Sequence, residues 1–148
     1  MNRPFALWPL IFLLIFLSIG GFYGGAAMLM DPSGNLLGIP GVLPLSPVSN
    51  YTFPGLFLFM VMGLAPLFLS YGLLARPHWT WTQPIYRRVG YHWSWTGTLV
   101  LVFVLASWLT VQGFLIGFKW GIQYITAATG VLIFLLVMTP SVKSFYAK

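Results

Sequence analysis

A chain of 148 residues that is 59% hydrophobic, 18% aromatic and 5% charged lacks the makeup of a water-soluble domain, where about a quarter of residues carry charge. Seven basic residues against one acid give a formal charge of +6. The bases sit at the ends of apolar runs, so the implied partner is a lipid bilayer with anionic lipids, and not nucleic acid. The sequence has no cysteine, which excludes a disulfide framework, a thiolate metal site and thiol redox chemistry, including that of four-helix enzymes passing electrons from cysteine pairs to quinone.

In chain order, a short basic lead with Arg3 precedes an uncharged run from Phe5 to Met30. That run can span a hydrocarbon core of ~30 Å, which takes about 20 helical residues. A cleaved signal peptide is the competing reading, since Gly25-Ala26-Ala27 offers small residues; its apolar region would run only about 7–15 residues, so an uncleaved span is preferred. Gly20 with Gly24 and Gly21 with Gly25 form overlapping small-xxx-small pairs, a helix-packing face that serves an internal contact or a homodimer or partner membrane subunit. A Gly-rich first helix also occurs in small fluoride channels, whose motif includes an arginine absent here.

The run stops at Asp31, the single acid. Asp31-Pro32-Ser33-Gly34 has the chemistry of a type I turn, and the proline pushes the residue before it out of helical space. Pro40, Pro44 and Pro47, with Gly38 and Gly41, keep the stretch to Thr52 from forming a long helix. A second span is predicted over about 53–75, with Thr52 as N-cap and Pro54 in the first turn. Pro66 predicts a kink that leaves the carbonyl of Met62 without its partner.

The segment from Arg76 to Tyr91 interleaves bases with tryptophans and tyrosines, the mixture a membrane–water interface selects, and makes Arg76, Arg87 and Arg88 the expected lipid head-group contacts. Third and fourth spans follow over about 92–116 and 120–139. Pro140 ends the last, leaving Lys143 and Lys148 in a tail. The expected architecture is all-α: a single polytopic membrane domain over 1–148, with four transmembrane helices in a compact bundle. Arg3, Arg76, Arg87, Arg88, Lys143 and Lys148 then share one side and Lys119 the other, so both termini are expected to be cytoplasmic, N-in/C-in.

Two constellations invite a site. Trp108, Gln112, Gln123 and Thr126, with Tyr23, would collect in the outer half, either as inter-helix hydrogen bonding or as a ligand cavity, with Asp31 and Lys119 as an outer ion pair at its mouth. His78 and His92 sit at the cytoplasmic interface without a carboxylate to complete a metal site and outside the spans where haem ligands would face each other, so no metal or cofactor is expected. No predicted span carries an ionisable residue in its centre, which disfavours proton-coupled carriers and the small four-helix drug exporters that use an embedded glutamate. One acid cannot supply paired-carboxylate catalysis, and phosphate-cradle and nucleophile motifs are missing, so catalysis is not expected.

The Gly-rich first helix, Asp31-Pro32-Ser33-Gly34, Gly38-Ile39-Pro40, Ser46-Pro47, Phe53-Pro54-Gly55 and the Trp-rich segment through His92-Trp93 together resemble a group of small four-helix bacterial inner-membrane proteins. The resemblance implies architecture and a bacterial inner membrane, and carries no substrate, cofactor or catalytic residue. The general plan is also similar to small four-helix subunits of membrane oxidoreductases. The functional expectation is a non-catalytic accessory or scaffolding subunit. The alternative is a binder or carrier of a small lipophilic molecule in an outer-leaflet cavity, and the weakest option is a lipid-acting enzyme using His78 or His92.

Overall fold

The computed structural model describes residues 3–147, so Lys148 lies outside the described residues. Its regular elements are helices; the extended pairing among the described residues is one isolated bridge between Tyr91 and Ala147. The long helices are α1 (Leu7–Met30), α2 (Thr52–Ala75), α4 (Trp93–Ile116) and α5 (Gly121–Val137). Two shorter ones, α3 (Gln83–Val89) and α6 (Pro140–Tyr146), lie at one end. By length and composition, α1, α2 and α4 can each cross a membrane; α5 and α6, bent by 65° at their junction, would make a fourth crossing if counted as one broken span.

Helix α1 is uninterrupted because Pro9 falls in its first turn, where a missing N–H costs nothing, and it stops at Asp31 (φ −133°) ahead of Pro32. Leu7, Leu10, Ile11, Leu14, Leu17, Ser18, Gly21 and Gly25 form its buried face, at helical spacing. Opposite it, α2 runs antiparallel and very close. A Cβ added at Gly21 would lie 2.2 Å from the carbonyl carbon of Met62, and one at Gly25 would lie 2.6 Å from the backbone nitrogen of Phe59. Gly20 faces open space, and Gly24 meets only the tip of Leu58. The Gly21 and Gly25 pair is thus spent on a contact inside the chain, while Gly20 stands outside it.

Helix α2 widens into a π-helical stretch over Leu58–Leu64, and the Ala65 N–H reaches back five residues to the Met60 carbonyl. Pro66 then sits in the first turn of the resumed α-helix. The disturbance thus precedes the proline, and the carbonyl that takes an outside donor belongs to Gly63, not Met62: Ser18 Oγ donates to it at 2.7 Å. Thr52 is also not the cap expected of it. It is the first helical residue, and its N–H donates to Asn50 Oδ1 at 3.0 Å.

Helix α4 packs mainly on the second half of α2, with Gly72 under Trp93 and Gly97 under Leu69, and it reaches the first half where Phe57 stacks on Trp108 at 4.3 Å. Helix α5 packs on α4 and α1, Gly130 admitting Leu105 and Trp95 Nε1 donating to the Val137 carbonyl at 2.9 Å. Most other span hydroxyls (Ser70, Thr98, Ser107, Thr110, Thr126, Thr129) donate to the carbonyl four residues back in their own helix. Outward, Phe12, Ile19, Phe103 and Ile122 are 63–67% exposed, a belt of bare apolar surface that water would not tolerate at this density.

Pro140 does not end the helical chain. It opens α6, a position where proline is pre-organised, and this helix folds back across the end of the other helices. Val142, Phe145 and Tyr146 are buried, and Tyr146 Oη donates to the Leu73 carbonyl at 2.6 Å while its own carbonyl accepts from the His92 N–H at 2.9 Å.

Candidate functional site

The end closed by α6 carries most of the charge and a stack of tryptophan rings. Arg3 donates to the Leu74 carbonyl at 3.1 Å, which brings it beside Arg76 and α6 with Lys143. Arg76 terminates α2 in the left-handed region (φ 49°, ψ 48°), an uncommon conformation for a residue with a Cβ. This turn sends its guanidinium inward over the Phe145 ring (4.4 Å) and the Tyr146 ring (5.4 Å), with Nε buried and unpartnered. Cation–π attraction of about 0.5–2 kcal/mol offsets part of that cost. The Arg76 guanidinium therefore packs against the tail; Arg87 and Arg88 are exposed.

Beyond Arg76, the rings of Trp79, Trp81 and Trp93 stack on one another, with centroids 5.4 Å apart for Trp79–Trp81 and 5.3 Å for Trp79–Trp93. The stack continues onto α2 through Phe68, 5.7 Å from Trp79, and Tyr71, 6.4 Å from it. Each such pair adds about 0.5–1.5 kcal/mol beyond area burial. Buried Thr82 holds the base of the turn, its hydroxyl donating to the Trp79 carbonyl at 2.8 Å.

His92 is the N-cap of α4. Its Nε2 lies 3.2 Å from the Pro77 carbonyl, which can only accept, so Nε2 carries the proton and Nδ1 accepts from the Ser94 N–H (3.4 Å) and hydroxyl (2.8 Å). Trp93 Nε1 donates to the same Pro77 carbonyl at 3.2 Å. Burial pushes the His92 pKa below the usual histidine value; the Pro77 carbonyl opposes the shift, and neighbouring His78 and Arg76 add to it. A neutral imidazole with both nitrogens engaged is a structural part. His78, exposed, places its ring 5.7 Å away and perpendicular. Among the described residues, no three or more His, Cys, Asp or Glu side chains gather into a metal-binding group.

Between this aromatic wall and α3 lies a cavity of about 190 Å³ lined by His78, Trp79, Thr82, Gln83, Tyr86, Arg87, His92 and Trp93. The density of Trp and Arg between two Pro-marked turns singles out this segment in the sequence, but spacing alone does not show that the side chains enclose a space.

The expected outer site does not assemble. Tyr23 is 72% exposed on the outside of α1, Trp108 is taken up by Phe57, and the Thr126 hydroxyl returns to the Ile122 carbonyl at 2.7 Å. Gln112 is half-buried on α4. Gln123 is buried because it closes its own helix start: Oε1 accepts from the Lys119 and Trp120 N–H groups (2.9 and 3.1 Å) and Nε2 donates to the Gly117 carbonyl (3.2 Å). The Asp31–Lys119 ion pair is absent as well. The Asp31 carboxylate is used within its turn, accepting from the Ser33 hydroxyl, the Ser33 N–H (3.2 Å) and the Leu36 N–H (2.7 Å). Those bonds, the Ser33 hydroxyl foremost, hold its pKa below the usual aspartate value. Tyr51 seals the same loop over Gly34 (φ +81°), its hydroxyl donating to the Ile39 carbonyl at 2.8 Å.

An apolar crevice of about 320 Å³ opens between α4 and α5, lined by residues that include Leu105, Leu109, Gly130 and Phe134. Compared with protein-family models, curated proteins and solved structures, the chain matches none.

Proposed function

We propose that the chain is an integral protein of a bacterial inner membrane that crosses four times, has both termini in the cytoplasm, and acts as a non-catalytic accessory or scaffolding subunit. The observation that carries the non-catalytic reading is that several of the polar groups able to do chemistry are already committed to holding the fold. Asp31 builds a turn, His92 caps α4, Gln123 caps α5 and the span hydroxyls return to their own helices. The exposed apolar belt supports the membrane placement. The 17 residues of α5 fall within the ~17–25 that suffice for a crossing. The orientation is supported by the antiparallel packing, which gathers Arg3, Arg76, Arg87, Arg88 and Lys143 at one end and leaves Asp31 and Lys119 at the other.

Cysteines introduced at Ser33 and Arg88 test the topology: they should react with an impermeant thiol reagent from opposite sides, and labelling from the same side would refute it. For the role, native mass spectrometry in mild detergent should show a second copy or a partner membrane subunit. Recovery of a bare monomer under conditions that keep known membrane complexes intact would count against scaffolding.

A second reading, the binder of a small lipophilic molecule, is favoured by the α4–α5 crevice instead of the Tyr23–Thr126 set. A retained lipophile displaced by Gly130→Leu would support it.

A further inference from the structure

We infer that the loop joining α1 to α2 (residues 31–51) lies flat in the outer leaflet, with Leu36 and the Pro40–Leu45 turn at the level where acyl chains begin. This rests on the membrane placement proposed above and goes beyond it, because four crossings by themselves leave the loop in water.

Charge is the first reason. From Pro32 through Ala75 the sequence has no charged residue. Asp31 opens the loop, and its carboxylate is held inside the turn by the Ser33 hydroxyl and the Ser33 and Leu36 N–H groups. What the loop shows instead is apolar: Leu36 is 60% and Leu45 49% exposed, and Pro40, Gly41 and Pro44 are exposed between them along the chain.

The backbone is the second. A segment can enter an apolar medium only when its peptide groups find partners within the protein. Here the N–H groups of Gly34, Gly38, Ile39, Val42, Ser46 and Tyr51 donate to carbonyls of the same loop, and those of Ser33 and Leu36 donate to Asp31. Pro32, Pro40, Pro44 and Pro47 have no N–H to satisfy. Loops that face water leave that work to the solvent; this one does it internally.

Position is the third. The Pro40–Leu45 turn, a short 3₁₀ helix, packs against α4. Because α4 runs antiparallel to α2, with Phe57 beside Trp108, the turn meets the outer end of α4. At that end Phe114 is 88% exposed, and Ile122, in the first turn of α5, is 63% exposed. The leucines thus continue the apolar belt around the helices. A protein partner would call for aromatic or arginine anchors. The loop has no arginine, and its one aromatic residue, Tyr51, is buried with its hydroxyl on the Ile39 carbonyl. Lipid needs no such anchor, and an apolar face at the acyl boundary is the ordinary seat of an interfacial segment.

The chain has no cysteine, so single cysteines at Leu45, Gly41, Ser49 and Phe103 can each carry a nitroxide in phospholipid vesicles. A Cβ at Gly41 meets nothing within 4 Å, so that site accepts a side chain. Collision with oxygen reports lipid, and collision with a water-soluble nickel chelate reports water. At Leu45 and Gly41 the oxygen-to-nickel ratio should exceed that at polar, exposed Ser49 by about 10-fold and approach that at Phe103, as partition of an apolar gas into lipid requires. Leu45→Lys should lower the Gly41 ratio at least ~2-fold, since an ionised side chain is costly below the head groups, whereas Ser49→Lys should leave it unchanged.

Ratios at Leu45 and Gly41 no higher than at Ser49, with Phe103 still in lipid, would overturn the loop placement and leave the membrane reading standing. A Phe103 label in water would overturn both. Protection of Leu45 and Gly41 from both probes would put a protein in place of lipid, and a Gly41 ratio indifferent to Leu45→Lys would refute insertion.

Discussion

Replacing Gly21 with alanine probes the closest approach in the molecule. The added Cβ would stand 2.2 Å from the Met62 carbonyl carbon and 2.3 Å from its oxygen, both backbone atoms that no rotamer change can move. Restoring ordinary contact requires α1 and α2 to part by roughly 1 Å at this level, and overpacking of this kind costs about 1–3 kcal/mol. The same separation stretches the Ser18–Gly63 hydrogen bond, now 2.7 Å, an inter-helix contact worth roughly 0.6–2 kcal/mol. Alanine's better helix propensity returns about 1 kcal/mol. The net expectation is a loss of roughly 1–4 kcal/mol. Gly20→Ala, one residue away and meeting nothing within 4 Å, should be neutral or more stable by up to about 1 kcal/mol. Equilibrium unfolding in mixed micelles, followed by tryptophan fluorescence, measures both. Variants that fall within about 0.5 kcal/mol of each other, well below the difference expected from overpacking, would refute the packing argument.

The pH dependence of stability should report His92. Its folded-state pKa is lowered, so protonation favours the unfolded chain: stability is fully present above the ordinary histidine value of about 6.5 and declines as pH falls through the folded value. His92→Asn keeps a capping side chain and should flatten that decline between pH 7 and 5; an unchanged profile would place the titration elsewhere. Tyr146→Phe removes the donor to the Leu73 carbonyl and leaves that acceptor buried, for an expected loss of about 1–3 kcal/mol in the same unfolding assay. Asp31→Ala takes away the acceptor for Ser33 and Leu36, and hydrogen exchange should quicken at Leu36 and nearby loop amides while the α1–α2 contact keeps its protection.

The long helices were legible because their limits are written in residue chemistry. Observed limits of 7–30, 52–75, 93–116 and 121–137 fall within two residues of those expected, wherever proline, glycine or charge interrupts an apolar run. The polar positions were misread for a common physical reason. Gln123 is expected to reach across to a neighbouring helix, yet it is satisfied by backbone N–H groups within four residues of itself, while the Asp31 carboxylate accepts from the backbone of the turn it is expected to build. Spacing along a helix face can say that Gln112 and Trp108 share a side; it cannot say that Phe57 already covers the tryptophan. The tail was misjudged through Pro140, which stops one helix and starts another with equal ease, and Val142, Phe145 and Tyr146 beyond it carry the apolar spacing that betrays burial. Arg76 was beyond reach, because its inward course depends on one left-handed residue.

The wide turn over Leu58–Leu64 governs how α2 can change length. Each residue removed from a regular α-helix rotates everything after it by about 100°, which would swing Leu69, Leu73 and the entire tryptophan stack out of alignment. Within the π-helical stretch a deletion can be absorbed by relaxing that turn to α, leaving both flanking halves in phase. Shortening α2 by one residue there, and nowhere else along it, should therefore preserve the orientation of its downstream half.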